Sequence, residues 1–313
     1  MRKIIIGVLF FVVIAYFGIG FYVYGESVAV PCSIVESEKD NRPDNFSLGE
    51  KADWDPSKYF VQDYETVLIN TNDGVVLSGW WMETDKNAPT VIGLHGVTSG
   101  KHSPDVLLVG GMLVSEGFNY LTFDFRDHGE STCEDGVHSA GQKEIYDVKA
   151  AIDWLVNEKN IPPDKIGLHG SSFGAMVALM AQYATDNISA LSIVDTPFDF
   201  ATLVREELIY QGFPPFLYEP VNHYALLFEG IDITEVSPED GVSKGKNPMI
   251  IFNGIKSDRV LSHHTDDLIN AGNQYNVEML INRYPELSHT EIMFVYPDEF
   301  LSKIVPFFRE RLN

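Results

Sequence analysis

The chain has 313 residues, of which 45% are hydrophobic and 12% aromatic, and this composition fits a globular protein with one large α/β domain. Its formal net charge is −23, from 45 acidic and 22 basic residues. Such a surface repels phosphate backbones, which argues against nucleic acid as a partner and disfavours polyanionic substrates.

The first 25 residues differ from the rest of the chain. Arg2 and Lys3 precede an uncharged run over residues 4–24, and a helix of that length rises about 31 Å, enough to cross a bilayer. The basic end predicts a single-pass signal anchor over residues 1–25, with the rest of the chain extracytoplasmic. A cleaved signal peptide is the alternative, because Ser27-Val28-Ala29 carries small residues at a cleavage site, and the domain would then be secreted after cleavage near Ala29.

Residues 26–60 are polar and irregular, and we expect them to form an extracytoplasmic tether. Cys32 lies in this segment and Cys133 in a later loop. In an exported chain the two can form a disulfide, or they can be unrelated thiols, and the sequence leaves both readings open.

From about Tyr64 the pattern becomes regular. Alternating residues on both sides of Asn72-Asp73-Gly74 predict a β-hairpin. Buried strands and amphipathic helices then alternate to the C-terminus. The predicted strands cover residues 88–96, 119–125, 165–171, 188–197, 247–254 and 277–284. The predicted helices cover residues 105–118, 143–159, 173–185, 264–272 and 298–312.

This alternation predicts an α/β domain over residues 61–313, with a mostly parallel central sheet, helices on both faces and an N-terminal hairpin. Ligands of such folds bind at the carboxyl ends of the strands. Residues 198–246 lie between two predicted strands and are rich in aromatics, which predicts a short cap or lid insertion. The cap can form an acyl pocket or a lid facing lipid, or it can be a short helical excursion packed on the sheet.

Gly170-Ser171-Ser172-Phe173-Gly174 places a serine between two glycines. The pattern alone also describes a tight turn of small residues. Here a predicted strand precedes it and a predicted helix follows, which is the context of a nucleophile on a sharp strand-to-helix turn. The helix N-terminus behind Ser172 favours developing negative charge, so Ser172 is the predicted nucleophile.

A serine hydroxyl needs a base. Among nine histidines, His289 stands apart because its loop follows the last predicted strand and can reach back over the site. Asp258, after the strand at residues 247–254, is the best candidate for the acid that orients the imidazole, and Asp195, after the preceding strand, is the alternative. His263 and His264 are expected to be exposed polar positions.

Together these motifs resemble the α/β-hydrolase superfamily, in the chain order Ser…Asp…His. The resemblance covers about residues 62–312 and rests on five stretches: His95-Gly96 after a strand, DFRDHGES at residues 124–131, the serine turn, NGIKSDRV at residues 253–260 and LSHTE at residues 287–291. Within the superfamily the chain looks like the serine esterase and acylaminoacyl-peptidase-like branch.

The resemblance implies an oxyanion hole formed by the backbone amides of Val97, with Thr98 as its neighbour, and of Phe173. It gives Asp124, Arg126 and His128 a structural role. The chain has no HGGG run, which departs from the hormone-sensitive lipase-like esterases.

The activity implied by the resemblance is that of a serine hydrolase that cleaves carboxylic esters. Its substrate would be a small-molecule ester or acyl compound, its intermediate an acyl-enzyme on Ser172, and it would need no cofactor or metal. A peptidase or a thioesterase would use the same triad. A non-catalytic binding module on the same fold is the alternative from another class.

Overall fold

A computed structural model describes residues 2–30 and 32–312. Its eight strands form one sheet in the order β1-β2-β4-β3-β5-β6-β7-β8. The strands are β1 Glu65–Asn70, β2 Val76–Met82, β3 Thr90–Leu94, β4 Asn119–Phe123, β5 Ile166–Ser171, β6 Ala190–Val194, β7 Met249–Gly254 and β8 Met279–Tyr284.

The first two strands form the predicted hairpin, and β2 pairs antiparallel with β4. All later pairings are parallel, from β4 and β3 through to β7 and β8. The predicted α/β-hydrolase architecture is confirmed. The loops after β3, β5, β6, β7 and β8 therefore meet at one edge of the sheet, where a ligand site is expected.

Ten α-helices accompany the sheet in the described part of the chain. They are α1 Arg2–Val28, α2 Pro104–Ser115, α3 Glu144–Asn157, α4 Phe173–Ala184, α5 Phe200–Tyr210, α6 Tyr218–Tyr224, α7 Pro238–Gly245, α8 His263–Tyr275, α9 Ile292–Val295 and α10 Pro297–Arg311. Apolar residues of α3, α4 and α8 pack on one face of the sheet, and those of α2 and α10 pack on the other. Both sheet faces are therefore covered, which explains why β3 to β7 read as short apolar runs without alternation.

Helix α1 extends beyond the predicted run of residues 4–24 to Val28. The span Lys3–Val28 has a mean hydropathy of 2.7 in its most apolar window, and its length and composition are those of a membrane-crossing helix or a signal sequence. The side chains of its first half are exposed, whereas Tyr24 and Val28 near its end are buried against the domain.

The segment after α1, expected to be a tether, packs on the domain over much of its length. Phe46, Leu48 and Tyr59 are buried in the same apolar cluster as α2 and α10. A Cβ on Gly111 of α2 would lie 1.9 Å from the Tyr59 carbonyl oxygen, so the segment and the helix are in close contact. Few apolar residues in an otherwise polar stretch suffice to hold it on the surface.

Cys32 and Cys133 form a disulfide with a Cα–Cα distance of 5.4 Å. The adjoining backbone reinforces this link, because Ala29 pairs with Val137 and the Val30 amide donates to the Gly136 carbonyl at 2.9 Å. The end of α1 is thereby fixed to the loop between β4 and α3.

Residues 198–246, which we call the cap, contain α5, α6, a π-helical turn Ala225–Glu229 and α7. Val204 and Leu208 of α5 form a small apolar cluster with Tyr218 and Val221 of α6. The end of α1 belongs to the same cluster. The cap therefore packs on α1 as well as on the sheet.

Candidate active site

Ser172 lies at the turn between β5 and α4, with φ 55° and ψ −121°. A non-glycine residue in this region of backbone space costs about 1–3 kcal/mol and persists only where its surroundings enforce it. Here the Ser172 amide donates to the Val194 carbonyl at 2.9 Å, which ties the turn to β6. The strained turn raises the serine above the carboxyl end of β5.

The glycines on either side of Ser172 are required by close backbone contacts. A Cβ on Gly174 would lie 2.2 Å from the Leu94 carbonyl oxygen, and one on Gly170 would lie 2.4 Å from the Gly174 carbonyl oxygen. Neither space admits a methyl group without a backbone shift. The turn is therefore a packed junction of β3, β5 and α4 rather than a generic small-residue loop.

The loop after β3 approaches the serine closely. A Cβ built on Gly96 would lie 3.9 Å from the Ser172 Cβ. Val97 follows Gly96 and lines the same cavity as Ser172 and Phe173. Within the described residues, neither the Val97 nor the Phe173 amide donates a hydrogen bond to another group. Both amides are thus free for an oxygen atom bound beside Ser172.

His289 lies in the loop after β8, is half-buried and lines the cavity that contains Ser172. Burial, with the positive charges of Arg259 and Lys51, lowers the pKa of His289 to about 4. The imidazole is therefore neutral at physiological pH, the form in which it can accept a proton. Its Nδ1 atom lies 3.4 Å from the Ser257 hydroxyl.

Asp258, the predicted orienting acid, is exposed and is not among the residues that line the cavity. Within the described chain its carboxylate forms no hydrogen bond with His289. Its negative charge nevertheless raises the pKa of His289 against the larger effect of burial. The role of Asp258 in a triad stays a prediction.

Asp195, the alternative acid, is buried at the end of β6 with φ 45°. One carboxylate oxygen accepts from the Thr290 amide at 2.6 Å, and the other accepts from the Gly254 amide at 2.8 Å. Burial raises the pKa of Asp195 to about 6. Asp195 thus links β6 and β7 to the loop that carries His289, one residue away from the imidazole.

The structure brings four of the five predicted site residues to one cavity: Ser172, His289, Val97 and Phe173. The sequence analysis missed Ser257 as the neighbour of His289 Nδ1, because a serine beside a predicted acid carries no signal of its own. It also gave His264 an exposed position, which is wrong. His264 is fully buried, and its Nδ1 accepts from the Phe198 amide at 3.2 Å, because the cap covers the start of α8.

The other conspicuous residues of this sheet edge have structural contacts. His95 is buried with both ring nitrogens engaged, since Nδ1 bonds the Gly96 carbonyl at 2.8 Å and Nε2 accepts from the Phe125 amide at 3.0 Å. Lys101 pairs with buried Asp124 at 2.6 Å. Partners that fully satisfy buried groups in this way stabilise loops.

Arg126 forms a buried ion pair with Asp147 of α3 at 2.6 Å. Additional hydrogen bonds satisfy this pair, because the Arg126 amide and Nε both donate to the same carboxylate. These contacts accord with the structural role that the sequence resemblance gave to Asp124 and Arg126.

The cavity has a volume of about 570 Å³ and a mixed lining. The end of α1 and α5 contribute apolar side chains, which include Val23, Leu203, Val204 and Leu208, together with the carboxylates of Glu26 and Glu207. Glu38, Lys51, Ser103 and Asp105 add further polar groups. Burial and the nearby Asp105 carboxylate raise the pKa of Glu38 to about 7.

A family model described as the prolyl oligopeptidase family matches residues 110–313, which contain Ser172, Asp258 and His289. The chain belongs to the prolyl oligopeptidase family. Together with the likeness to an esterase structure of 26% identity, this makes it a serine hydrolase. The match begins within α2 and therefore leaves α1 and the segment after it outside.

Individual relatives and structures extend this result. The chain is 26% identical to the protein YqkD of Bacillus subtilis over 75% of this chain and 73% of YqkD. It is 25% identical to the polyketide transferase ATR5 of Stachybotrys chlorohalonatus over 78% of this chain and 82% of the transferase. Among solved structures, the Pyrococcus furiosus esterase Pf2001 aligns with a TM-score of 0.68 and 26% identity, over 91% of this chain and 98% of the esterase.

A more distant structure shares the fold alone. The Pyrococcus horikoshii acylaminoacyl peptidase aligns with a TM-score of 0.63 and 15% identity, over 80% of this chain and 42% of the peptidase.

Proposed function

We propose that this serine hydrolase cleaves carboxylic esters through an acyl-enzyme on Ser172. The observation that carries the proposal is the strained Ser172 turn, which shares one cavity with His289 and with two amides that have no partner in the described chain. The apolar side chains that α1 and α5 contribute to that cavity suit an acyl group. The likeness to the esterase Pf2001, which extends over 91% of the chain, supports the same choice.

In the proposed mechanism the Ser172 hydroxyl attacks the carbonyl carbon while His289 takes its proton. The oxygen of the tetrahedral intermediate accepts hydrogen bonds from the Val97 and Phe173 amides. Each such donor is worth about 2.7–4 kcal/mol in transition-state stabilisation. The alcohol leaves with the proton from His289, and water activated by His289 then releases the acid and restores Ser172.

We propose that Asp258 supplies the negative charge that favours the imidazolium form of His289 during turnover. The support is electrostatic, because the Asp258 charge raises the pKa of His289. Asp195 has a different proposed role, which is to hold the His289 loop through the Thr290 amide. Ser257 limits rotation of the ring by its contact with Nδ1.

The proposal is tested by labelling the full-length protein with a fluorophosphonate probe and following hydrolysis of p-nitrophenyl esters of increasing chain length. We expect stoichiometric labelling, turnover, and loss of both in Ser172→Ala. Ser171→Ala is the matched control, since Ser171 is the adjacent buried serine on β5. No labelling of the folded wild-type protein would favour the non-catalytic binding module.

A second outcome distinguishes an esterase from a thioesterase and from a peptidase. Labelling with turnover of thioesters or N-acyl peptides at higher kcat/KM than of esters would reassign the substrate to a thioesterase or a peptidase. The same Ser172→Ala variant would still lose activity, so the nucleophile and the substrate class are tested separately.

A further inference from the structure

Helix α1 contacts the cap along its C-terminal half. The Tyr16 hydroxyl lies 2.6 Å from His223 Nδ1, and the rings of Phe17 and Phe228 are 5.3 Å apart. In a helix, the distance from residue 16 to residue 24 is about 12 Å along the axis. The cap therefore runs beside α1 for more than two turns instead of touching only its end.

This contact is close enough to be specific. A Cβ on Gly20 would lie 2.3 Å from the Pro220 carbonyl oxygen, so the two helices meet where α1 has no side chain. One turn further, the ring of Tyr224 lies 5.6 Å from Phe21 and 5.5 Å from Tyr24. Small residues at a helix contact with flanking aromatic rings are typical of a packed helix pair.

The last turns of α1 also form part of the cavity. Tyr22, Val23, Glu26 and Ser27 line the same space as Ser172. The helix is thus a wall of the candidate active site as well as a hydrophobic segment. A chain without α1 would lack this wall.

The cap exposes several large apolar side chains, and Phe228 among them contacts α1. We call this group the apolar edge; its members are Ile209, Phe213, Phe216, Leu226, Leu227 and Phe228, each at least 46% exposed. Between residues 209 and 228 the only charged residue is Glu219. Exposed apolar patches with so little charge mark an interaction surface, and the lack of basic residues excludes electrostatic attraction as its basis.

We propose that the apolar edge is immersed in the lipid bilayer beside α1, and that the substrate is a long-chain acyl ester that enters the cavity from that bilayer. The proposal rests on the proposed ester hydrolysis at Ser172. If α1 crosses a membrane, contacts as far back as Tyr16 and Phe17 place the cap at the depth of the hydrocarbon. The exposed side chains then face lipid, which solvates them.

The mixed lining of the cavity fits such a substrate. Val23 of α1 and Leu203, Val204 and Leu208 of α5 provide apolar contacts for an acyl chain. Polar groups of the same lining, among them Glu38, Lys51 and Glu207, can bind a hydroxyl-bearing alcohol. An uncharged glycerolipid fits best, because the net charge of −23 opposes polyanionic ligands.

The test uses the full-length protein reconstituted in phosphatidylcholine vesicles that contain 1,2-dioleoylglycerol, with p-nitrophenyl butyrate as the water-soluble ester. In the double variant Phe216→Asp/Leu227→Asp, we expect hydrolysis of dioleoylglycerol to fall about tenfold or more, because charged side chains are excluded from hydrocarbon. Hydrolysis of p-nitrophenyl butyrate should stay within about twofold, since neither residue lines the cavity.

Leu68→Asp is the matched control, because Leu68 is equally exposed but lies on edge strand β1. It should change neither reaction. Loss of both activities in Ser172→Ala is required for the proposed function. Equal rates of dioleoylglycerol hydrolysis in the wild type and in the double variant, with butyrate hydrolysis intact, would overturn the membrane proposal alone.

A second measurement tests the membrane proposal even if the double variant unfolds. Nitroxide labels on Leu227→Cys and Leu68→Cys report which solvent each site meets. We expect the Leu227 label to be relaxed by oxygen more than by an aqueous nickel chelate, and the Leu68 label to show the reverse. A Leu227 label accessible to the chelate, or shielded from both reagents by a second copy of the chain, would overturn the proposal.

Discussion

The two walls of the cavity are built in different ways. The wall around Ser172 consists of backbone from β3, β5 and α4, where Gly170 and Gly174 leave no room for a methyl group. The other wall consists of residues from α1 and the cap, which contact each other through aromatic rings 5.3 to 5.6 Å apart and through the backbone at Gly20. The first wall fixes Ser172, the proposed nucleophile, and we expect the second to shape the space for the substrate.

We therefore expect the wall around Ser172 to be more rigid than the wall formed by α1 and the cap. Backbone contacts in a close-packed sheet cannot shift without moving whole strands. Aromatic side chains between two helices can slide, and several on the cap are already exposed. The same change, a single added methyl group, should therefore have very different consequences in the two walls.

Gly174→Ala should have the largest effect. Its methyl group would meet the Leu94 carbonyl oxygen at 2.2 Å, and the shift of α4 would displace Ser172 from the oxyanion amides. Misplacement of about 1 Å can cost about 10²-fold and loss of an oxyanion donor about 10²–10³-fold, so we expect a loss of about 10³-fold in kcat for p-nitrophenyl butyrate. Activity assays, with circular dichroism of the same samples, will separate loss of activity from unfolding. Retained activity would show that the junction is looser than these contacts require.

Asp258→Asn should have the next largest effect. It removes a charge that favours the imidazolium of His289, and because the carboxylate is exposed and screened we expect a loss of about fivefold in kcat with little change in KM.

The comparison variant is Asp195→Asn. It leaves the His289 loop without one acceptor and should lower the free energy of unfolding by about 1–3 kcal/mol, with a smaller effect on kcat. If both variants are fully folded and Asp195→Asn loses more kcat than Asp258→Asn, then Asp195 is the orienting acid.

Gly20→Ala tests the other wall. The methyl group would lie 2.3 Å from the Pro220 carbonyl oxygen, so α1 and α6 must move apart to admit it, whereas the strands around Ser172 stay in place. We expect p-nitrophenyl butyrate hydrolysis to change less than about threefold and the preferred acyl chain length to shift. Gly25→Ala is the control, because nothing lies within 4 Å of its Cβ position. A loss as large as that of Gly174→Ala would remove the distinction between the walls.

The pH dependence should be the smallest effect in the physiological range. Burial lowers the pKa of His289 to about 4, so kcat/KM should rise as the pH increases through about 4 and then remain level. Arg259→Gln removes a nearby cation and should move the midpoint upward by less than about one unit. A wild-type midpoint near 6.5 would show that His289 is solvated.

Unfolding at low pH sets the lowest pH at which kcat/KM can be measured. Burial also lowers the pKa values of His95, His138 and His169 to about 4. Their folded pKa values lie below the ordinary value near 6.5, so the unfolded state binds more protons between these limits. The three buried, neutral imidazoles therefore contribute fully to the free energy of unfolding above about pH 6.5. This contribution is lost as the pH falls towards 4. Circular dichroism at each pH separates this loss from titration of His289.

The features that follow from local sequence were predictable. The hairpin, the parallel strands and the serine turn each have a pattern within ten to twenty residues, and all three are present. The sequence also indicated that the His289 loop, which follows the last strand, could reach the site, and His289 and Ser172 line one cavity.

The contacts that depend on distant residues were not predictable. The link from Asp195 to Thr290, the burial of His264 and the packing of Phe46 and Leu48 each join segments far apart in the chain. The same holds for α1, since an apolar run of this length gives no sign that its last turns line a catalytic cavity. Such contacts depend on the shape of the folded surface, which composition and periodicity do not encode.

The disulfide between Cys32 and Cys133 closes a covalent ring that contains the hairpin, β3, α2 and β4. A single proteolytic cut anywhere inside this ring would leave the N-terminal helix attached to the part of the chain that carries Ser172 and His289. Release of the helix through a cut inside the ring would also need a reductant. For cuts inside the ring, the attachment of the helix to the rest of the domain therefore depends on the redox state of the compartment, and an oxidising compartment preserves it.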